Sequence, residues 1–150
     1  MANYCSNSVL FLGELNTVNE IKKIFAQIES EQQRTNRYHL PDFVTGDKGY
    51  MLDICFNEDW INYESRWQPN LDLLVQFAER YQVDFISRFD EMTNGMYGEA
   101  IYRNNELKTI YRLAWAEEDL ADDAELAAMR EEQRMLLEKH AGPGHSLIQR

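Results

Sequence analysis

Cys5, His39 and the tryptophans Trp60 and Trp67 carry most of the reactive or recognition chemistry this sequence could offer. Cys5 stands in Asn3-Tyr4-Cys5-Ser6-Asn7, directly ahead of the apolar run Val9–Leu12. A cysteine nucleophile needs a base or a local positive field to form its thiolate. His140 and His145 fall at or beyond the end of the last helical segment, which leaves His39 as the partner a thiol enzyme would use. The competing reading makes Cys5 a small buried hydrophobe, with Asn3 and Asn7 closing turns or pairing the first backbone groups of a strand. We favour the second, so NYCSN is read as a strand start and no catalytic residue is assigned.

Trp60 and Trp67 bracket the segment WINYESRW. Paired indoles can form a cleft or a stacking platform, and Arg66 between them could meet an anion. Large aromatics more often serve burial, which predicts packing between the second strand and the second helix. Arg34, Arg37, Tyr38 and His39 form the most basic and aromatic patch of the chain, inside the irregular stretch Arg34–Gly49. That stretch is long for a connection in a compact domain, where about 4–6 residues is usual. The binding surface is therefore assigned to Arg34, Arg37, Tyr38, His39, Trp60, Arg66 and Trp67, with Asn94 and Tyr97 from a turn rich in Asn and Gly. The acid pairs Glu58/Asp59 and Asp90/Glu91 read as solvated strand ends rather than a hydrolytic dyad. Without a CxxC, a Cys/His cluster, a glycine-rich phosphate loop, HExxH or GxSxG, the sequence assigns no metal and no cofactor.

The chain has 150 residues, with 26 acids against 15 bases and a net charge of −11. One domain with a real core is expected at this length. The acidity argues against direct nucleic-acid binding, which needs a basic surface to displace counterions. Between Glu117 and Lys139 there are nine acids and three bases, so about half of the net charge belongs to one C-terminal segment. No apolar run approaches the ~20 residues of a membrane span, and no signal peptide is evident. With only Cys5 and Cys55, a cytoplasmic protein with reduced thiols is expected.

The elements that position these residues follow from periodicity. Val9–Leu12 reads as a strand. Thr17-Val18-Asn19-Glu20 fits a capping box, and Val18, Ile21, Ile24, Phe25 and Ile28 make the apolar stripe of a helix running to about Gln33. Tyr50–Phe56 alternates like a half-buried strand. Pro69 suits a first helical turn, followed by the stripe Leu71, Leu74, Val75, Ala78 and Tyr81. Val83–Phe89, Tyr97–Arg103 and Leu107–Leu113 are strands, the last two joined by a tight Asn104-Asn105 turn. Glu117–His140 is a helix with acids crowding its first turns and a modest stripe of Leu126, Met129, Leu136 and Leu137, stopped by Gly142-Pro143-Gly144. The order is β-α-β-α-β-β-β-α, with strands one and two parallel through a right-handed crossover. The expected domain is 1–115, the acidic helix 116–141 and a tail 142–150.

Three groups of residues carry a family resemblance: Asn3-Tyr4-Cys5-Ser6-Asn7, the step from Trp60 through Trp67-x-Pro69, and Asn94-Gly95-Met96-Tyr97-Gly98-Glu99-Ala100. In this order, over roughly Ala2 to Leu113, the chain resembles the YubB-type ferredoxin-like domain of Api-like phage and plasmid proteins. The resemblance implies a ferredoxin-like α+β fold without an iron–sulfur cluster, a mobile-element association and no established activity, so it transfers no catalytic residues. Ser65-Arg66-Trp67 departs from the family's frequent Thr-Lys-Trp, and the helix after Trp115 lies outside the resemblance.

The fold expected is a ferredoxin-like α+β sandwich, a mixed sheet with helices packed on one face and an extra C-terminal helix. The function expected is a non-enzymatic interaction module with an unidentified protein partner and no membrane contact. One alternative is an acidic inhibitor or DNA mimic that presents Glu117, Glu118, Asp119, Asp122 and Asp123 to a DNA-handling protein. Others are a homodimer through the C-terminal helix, and a thiol enzyme using Cys5.

Overall fold

Apolar alternation from Tyr4 to Leu12 builds the central strand, β1 (Tyr4–Leu12), with Val9 and Phe11 directed to one side and Leu10 and Leu12 to the other. The computed structural model describes residues 4–37, 40–45, 51–92, 95–113 and 123–141. Helix α1 (Leu15–Thr35) follows, burying Val18, Ile21, Phe25 and Ile28. It starts a turn earlier than the capping box suggests: Glu14 occupies the N-cap position without a side-chain cap, so Thr17 and Glu20 lie inside the helix. Next come β2 (Leu52–Asn57), β3 (Trp60–Arg66), α2 (Leu71–Tyr81), β4 (Asp84–Glu91), β5 (Met96–Arg103), β6 (Glu106–Leu113) and α3 (Ala124–Ala141).

The strand order is β2-β3-β1-β4-β5-β6, and every neighbouring pair is antiparallel. The mixed sheet expected from the sequence is therefore corrected. β1 and β2 do run in the same direction, but β3 lies between them, which is the split βαβ of a ferredoxin-like unit. The element missed is β3. WINYESRW is a strand rather than a connection, entered through a two-residue Glu58-Asp59 turn in which Glu58 has φ 58°. Its alternation was legible only as Ile61, Tyr63 and Ser65, the three buried positions. Asn104 and Asn105 adopt φ 53° and 61°, and make the tight β5–β6 turn their residue type predicts.

The helices do not share one face. α1 and α2 cover one side of the sheet over Phe11, Phe25, Phe77 and Phe85. α3 lies on the opposite side, where Met129 and Leu136 meet Leu10, Leu12, Ile86 and Ile101. β1 and β4 have a second apolar face, and burying it requires this third layer. α3 is described from Ala124, where Asp123 caps it: the Leu126 amide donates to the Asp123 carboxylate at 3.1 Å, and positions 117–122 of the helix expected from the sequence lie outside the described residues.

The described part of the long Arg34–Gly49 connection is a strap on α2. Leu40, Phe43 and Val44 pack on the main core, and Phe43 meets Phe77 and Tyr81 edge-on at 5.1 and 5.9 Å. The Thr45 amide donates to the Gln76 side-chain oxygen at 2.7 Å, and the Gln76 amide returns a bond to the Thr45 carbonyl at 3.1 Å.

Candidate functional site

Two rows of polar side chains cross the α3 face of the sheet. The registers place Asn62, Ser8, Arg88 and Glu99 side by side on β3, β1, β4 and β5. The second row, one pleat repeat away, is Glu64, Ser6, Asp90 and Tyr97. Each strand contributes two residues two positions apart, which is what puts them on one face. Together with Asp53 and Cys55 of β2 they line an open groove of about 570 Å³. Asp53 reaches it through a β-bulge between Leu52 and Cys55, where Asp53 has φ 53°.

α3 holds two of the groove residues, Arg88 and Glu99, through a chain of polar contacts. The Arg88 guanidinium lies 5.0 Å over the Trp60 ring and donates to the Gln133 side-chain oxygen at 3.1 Å. Gln133 donates to Glu99 at 2.8 Å, and Arg130 donates to the other Glu99 oxygen at 2.9 Å. Glu99 is 5 % exposed, so its charge is held inside the protein by these two partners. Ser8 donates to the Asn62 side-chain oxygen. The Tyr97 hydroxyl is fully buried and has no hydrogen-bond partner among the described residues. Asp53, Glu64, Asp90 and Glu99 outweigh Arg88, so the groove is net acidic.

The residues assigned from sequence are scattered. Arg34 is exposed and pairs with Glu31 on its own helix, and Arg37 is exposed beyond the end of α1. Trp60 and Trp67 stand beside opposite ends of β3. Trp60 is half-buried against the α3 cluster rather than between β2 and α2, while Trp67 is 57 % exposed, just past the strand, with φ 70°. Arg66 is half-buried at the last position of β3. Of that set Tyr97 alone lines the groove. Tyr38, His39 and Asn94 lie outside the described residues, as do Glu117, Glu118, Asp119 and Asp122.

Asp123 is not a free partner face. Arg112 of β6 grips its carboxylate with two guanidinium nitrogens at 2.5 and 2.9 Å. The Arg112 hydrogen bond lowers the Asp123 pKa to about 2, aided by the Leu126 amide. Glu125 also pairs with Arg112, Glu132 with Arg103 and Lys108, and Glu131 and Glu138 with Arg134. Each acid of α3 thus has a cation, and three basic residues of β5 and β6 lie against the helix. The stripe that could have served a partner helix, Leu126, Met129 and Leu136, is buried on the protein's own sheet.

Cys5 sits on the other face of the sheet, completely buried. Burial pushes its thiol up to about 12, with the Glu91 carboxylate adding to the shift, so the thiol is protonated at neutral pH. Its neighbour Asn7 explains the NYCSN segment: the amide donates to the Cys5 carbonyl at 3.0 Å and to Ser65 Oγ at 2.9 Å. Ser65 in turn donates to the Gln68 carbonyl at 2.6 Å, and Tyr63 to Asn70 at 2.7 Å. These bonds tie the start of β1 to the turn that leads from β3 into α2.

A folded-state thiol pKa raised above the unfolded value favours the folded state below the unfolded pKa of about 9, and that advantage is lost as the pH rises toward 12. Stability should therefore fall between pH 9 and 12, and Cys5→Ala should flatten the Cys5 part of that slope. Urea titrations of both proteins from pH 8 to 11 check this; identical slopes refute it.

Over residues 48–134 the chain matches a family model described as the ferredoxin-like domain in Api92-like protein. That span is more than half of the chain. The chain belongs to this family. The Api92-like match starts just before β2 and continues into α3, so the acidic helix, placed outside the resemblance on sequence, lies largely within the domain. The six-stranded antiparallel sheet with three helices fits the ferredoxin-like α+β description. No curated protein and no solved structure matches the chain. Among the described residues no helix is long and apolar enough to cross a membrane.

Proposed function

We propose that this Api92-like protein is a non-enzymatic interaction module whose groove beside α3 takes a short basic segment of a partner protein. The supporting observation is the second polar row, Glu64, Ser6, Asp90 and Tyr97. Neither Glu64 nor Asp90 is in an ion pair among the described residues, although α3 pairs all of its own acids. They stand two strands apart, about 10 Å, with Ser6 between them. The Tyr97 hydroxyl at the end of this row is buried and finds no hydrogen-bond partner among the described residues. A Lys or Arg side chain laid across Ser6 would meet both carboxylates. The cytoplasmic setting and the YubB-type, mobile-element association belong to this proposal and rest on the sequence reading. No observation among the described residues favours the DNA-mimic alternative, since Asp123 already serves Arg112.

The test is binding to a panel of immobilised short peptides, lysine- or arginine-bearing against serine-substituted controls. The expected result is selective binding of the basic peptides that weakens with salt. E64Q/D90N should weaken it by about tenfold, on the order of one lost ion pair in a partly desolvated site. Y97F should leave urea stability unchanged or slightly raised, because it deletes a buried hydroxyl without a partner among the described residues. Equal binding of neutral peptides, or indifference to E64Q/D90N, overturns the proposal.

A further inference from the structure

The outer edge of β6 ends the sheet, and its sequence reads the same in both directions by chemical type. Leu107-Lys108-Thr109-Ile110-Tyr111-Arg112-Leu113 is apolar, basic, hydroxyl, Ile, hydroxyl, basic, apolar about Ile110. A two-fold dimer brings one surface against itself, so in an antiparallel pair each position meets the one equally far on the other side of the central residue. An antiparallel pairing of two β6 strands centred on Ile110 sets Leu107 against Leu113, Lys108 against Arg112 and Thr109 against Tyr111. Leu107, Tyr111 and Leu113 are exposed and share the face opposite α3. The pairing joins them into one continuous apolar strip.

The cations would oppose this pairing if they were free, and they are not. Lys108 is bound to Glu132 at 3.0 Å and Arg112 to Asp123. Both point to the α3 side, so the usual guard of an edge strand, an exposed lysine, has been neutralised from within. The opposite edge of the sheet is protected differently: β2 carries a bulge between Leu52 and Cys55 that breaks its ladder. β6 pairs with β5 in an unbroken register from Glu106 to Leu113. Among the described residues, regular backbone, an exposed apolar face and internally paired charges distinguish this edge.

We propose that the protein forms a two-fold homodimer by antiparallel β6–β6 addition with Leu107 opposite Leu113 of the second copy, which joins two six-stranded sheets into one. The occupant of the edge is a second copy of this chain. Sedimentation equilibrium of the full chain across a concentration series should show a monomer–dimer equilibrium. L107E and L113K should each weaken the dimer by about tenfold or more, because each places a charge against leucine in a strip that pairing desolvates. L107E/L113K should recover it, since this register then pairs opposite charges twice. Far-UV circular dichroism and urea melts of each variant separate a lost interface from a lost fold. A wild-type monomer at every concentration, a dimer insensitive to both single variants, or no recovery in a folded double variant overturns the proposal.

Discussion

Gly98→Val destabilises the protein by about 3 kcal/mol or more, a large share of the 5–15 kcal/mol that typically holds a domain of this kind together. Gly98 lies in β5 between Phe89 of β4 and Tyr111 of β6, whose rings close over it with centroids 5.2 Å apart. A Cβ at this position would stand 2.5 Å from two carbons of the Phe89 ring and closer still to the Ile110 carbonyl oxygen. The carbonyl is backbone of the neighbouring strand, so relief requires opening the β5–β6 ladder. The ring is 4 % exposed and has little room to retreat. Because the first added carbon already collides, Gly98→Ala should lose most of the same stability. Urea unfolding measures both. An alanine variant within ~0.5 kcal/mol of the parent, the scatter of an ordinary surface substitution, rejects the packing described.

The second large effect is expected at the centre of the other layer. Phe77 is completely buried on α2, with ring centroids 5.0 Å from Phe25, 5.1 Å from Phe43 and 6.3 Å from Phe11. It therefore holds α1, β1 and the Leu40–Thr45 strap against α2 at one point. Phe77→Ala should cost about 3–5 kcal/mol from lost burial and the cavity left behind, and Phe77→Leu less. The strap should respond as well, since Phe43 loses its main partner. Limited proteolysis of the folded variant should then cut within 40–45 faster than in the parent. A loss below ~1 kcal/mol, or an unchanged cleavage rate, counts against Phe77 as the common anchor.

The candidate groove was legible only in fragments. Ser6 and Ser8, Arg88 and Asp90, and Tyr97 and Glu99 each stand two positions apart, and alternation puts each pair on one face of its strand. Nothing local says that Ser6 lies beside Asp90 and Asp90 beside Tyr97. That follows from register, and register is set by which faces are buried once all the strands meet. Trp60 and Trp67 are not brought together, for the same reason. Residue type does not fix adjacency, and the two tryptophans sit beside opposite ends of β3.

By itself the sequence determined the helices α1 and α2 through their apolar stripes, the β5–β6 turn through two asparagines that tolerate positive φ, and the burial of Cys5 at the start of a strand. These depend on spacings within one segment and on the preferences of single residues. Tertiary structure decided that β3 slips between β1 and β2, that α3 covers the face its companions leave open, and that the acids of that helix are paired. The physical reason is that β1 and β4 carry apolar side chains on both faces, so each face needs its own layer. Which segment fills it depends on competition among distant parts of the chain for the same buried surface.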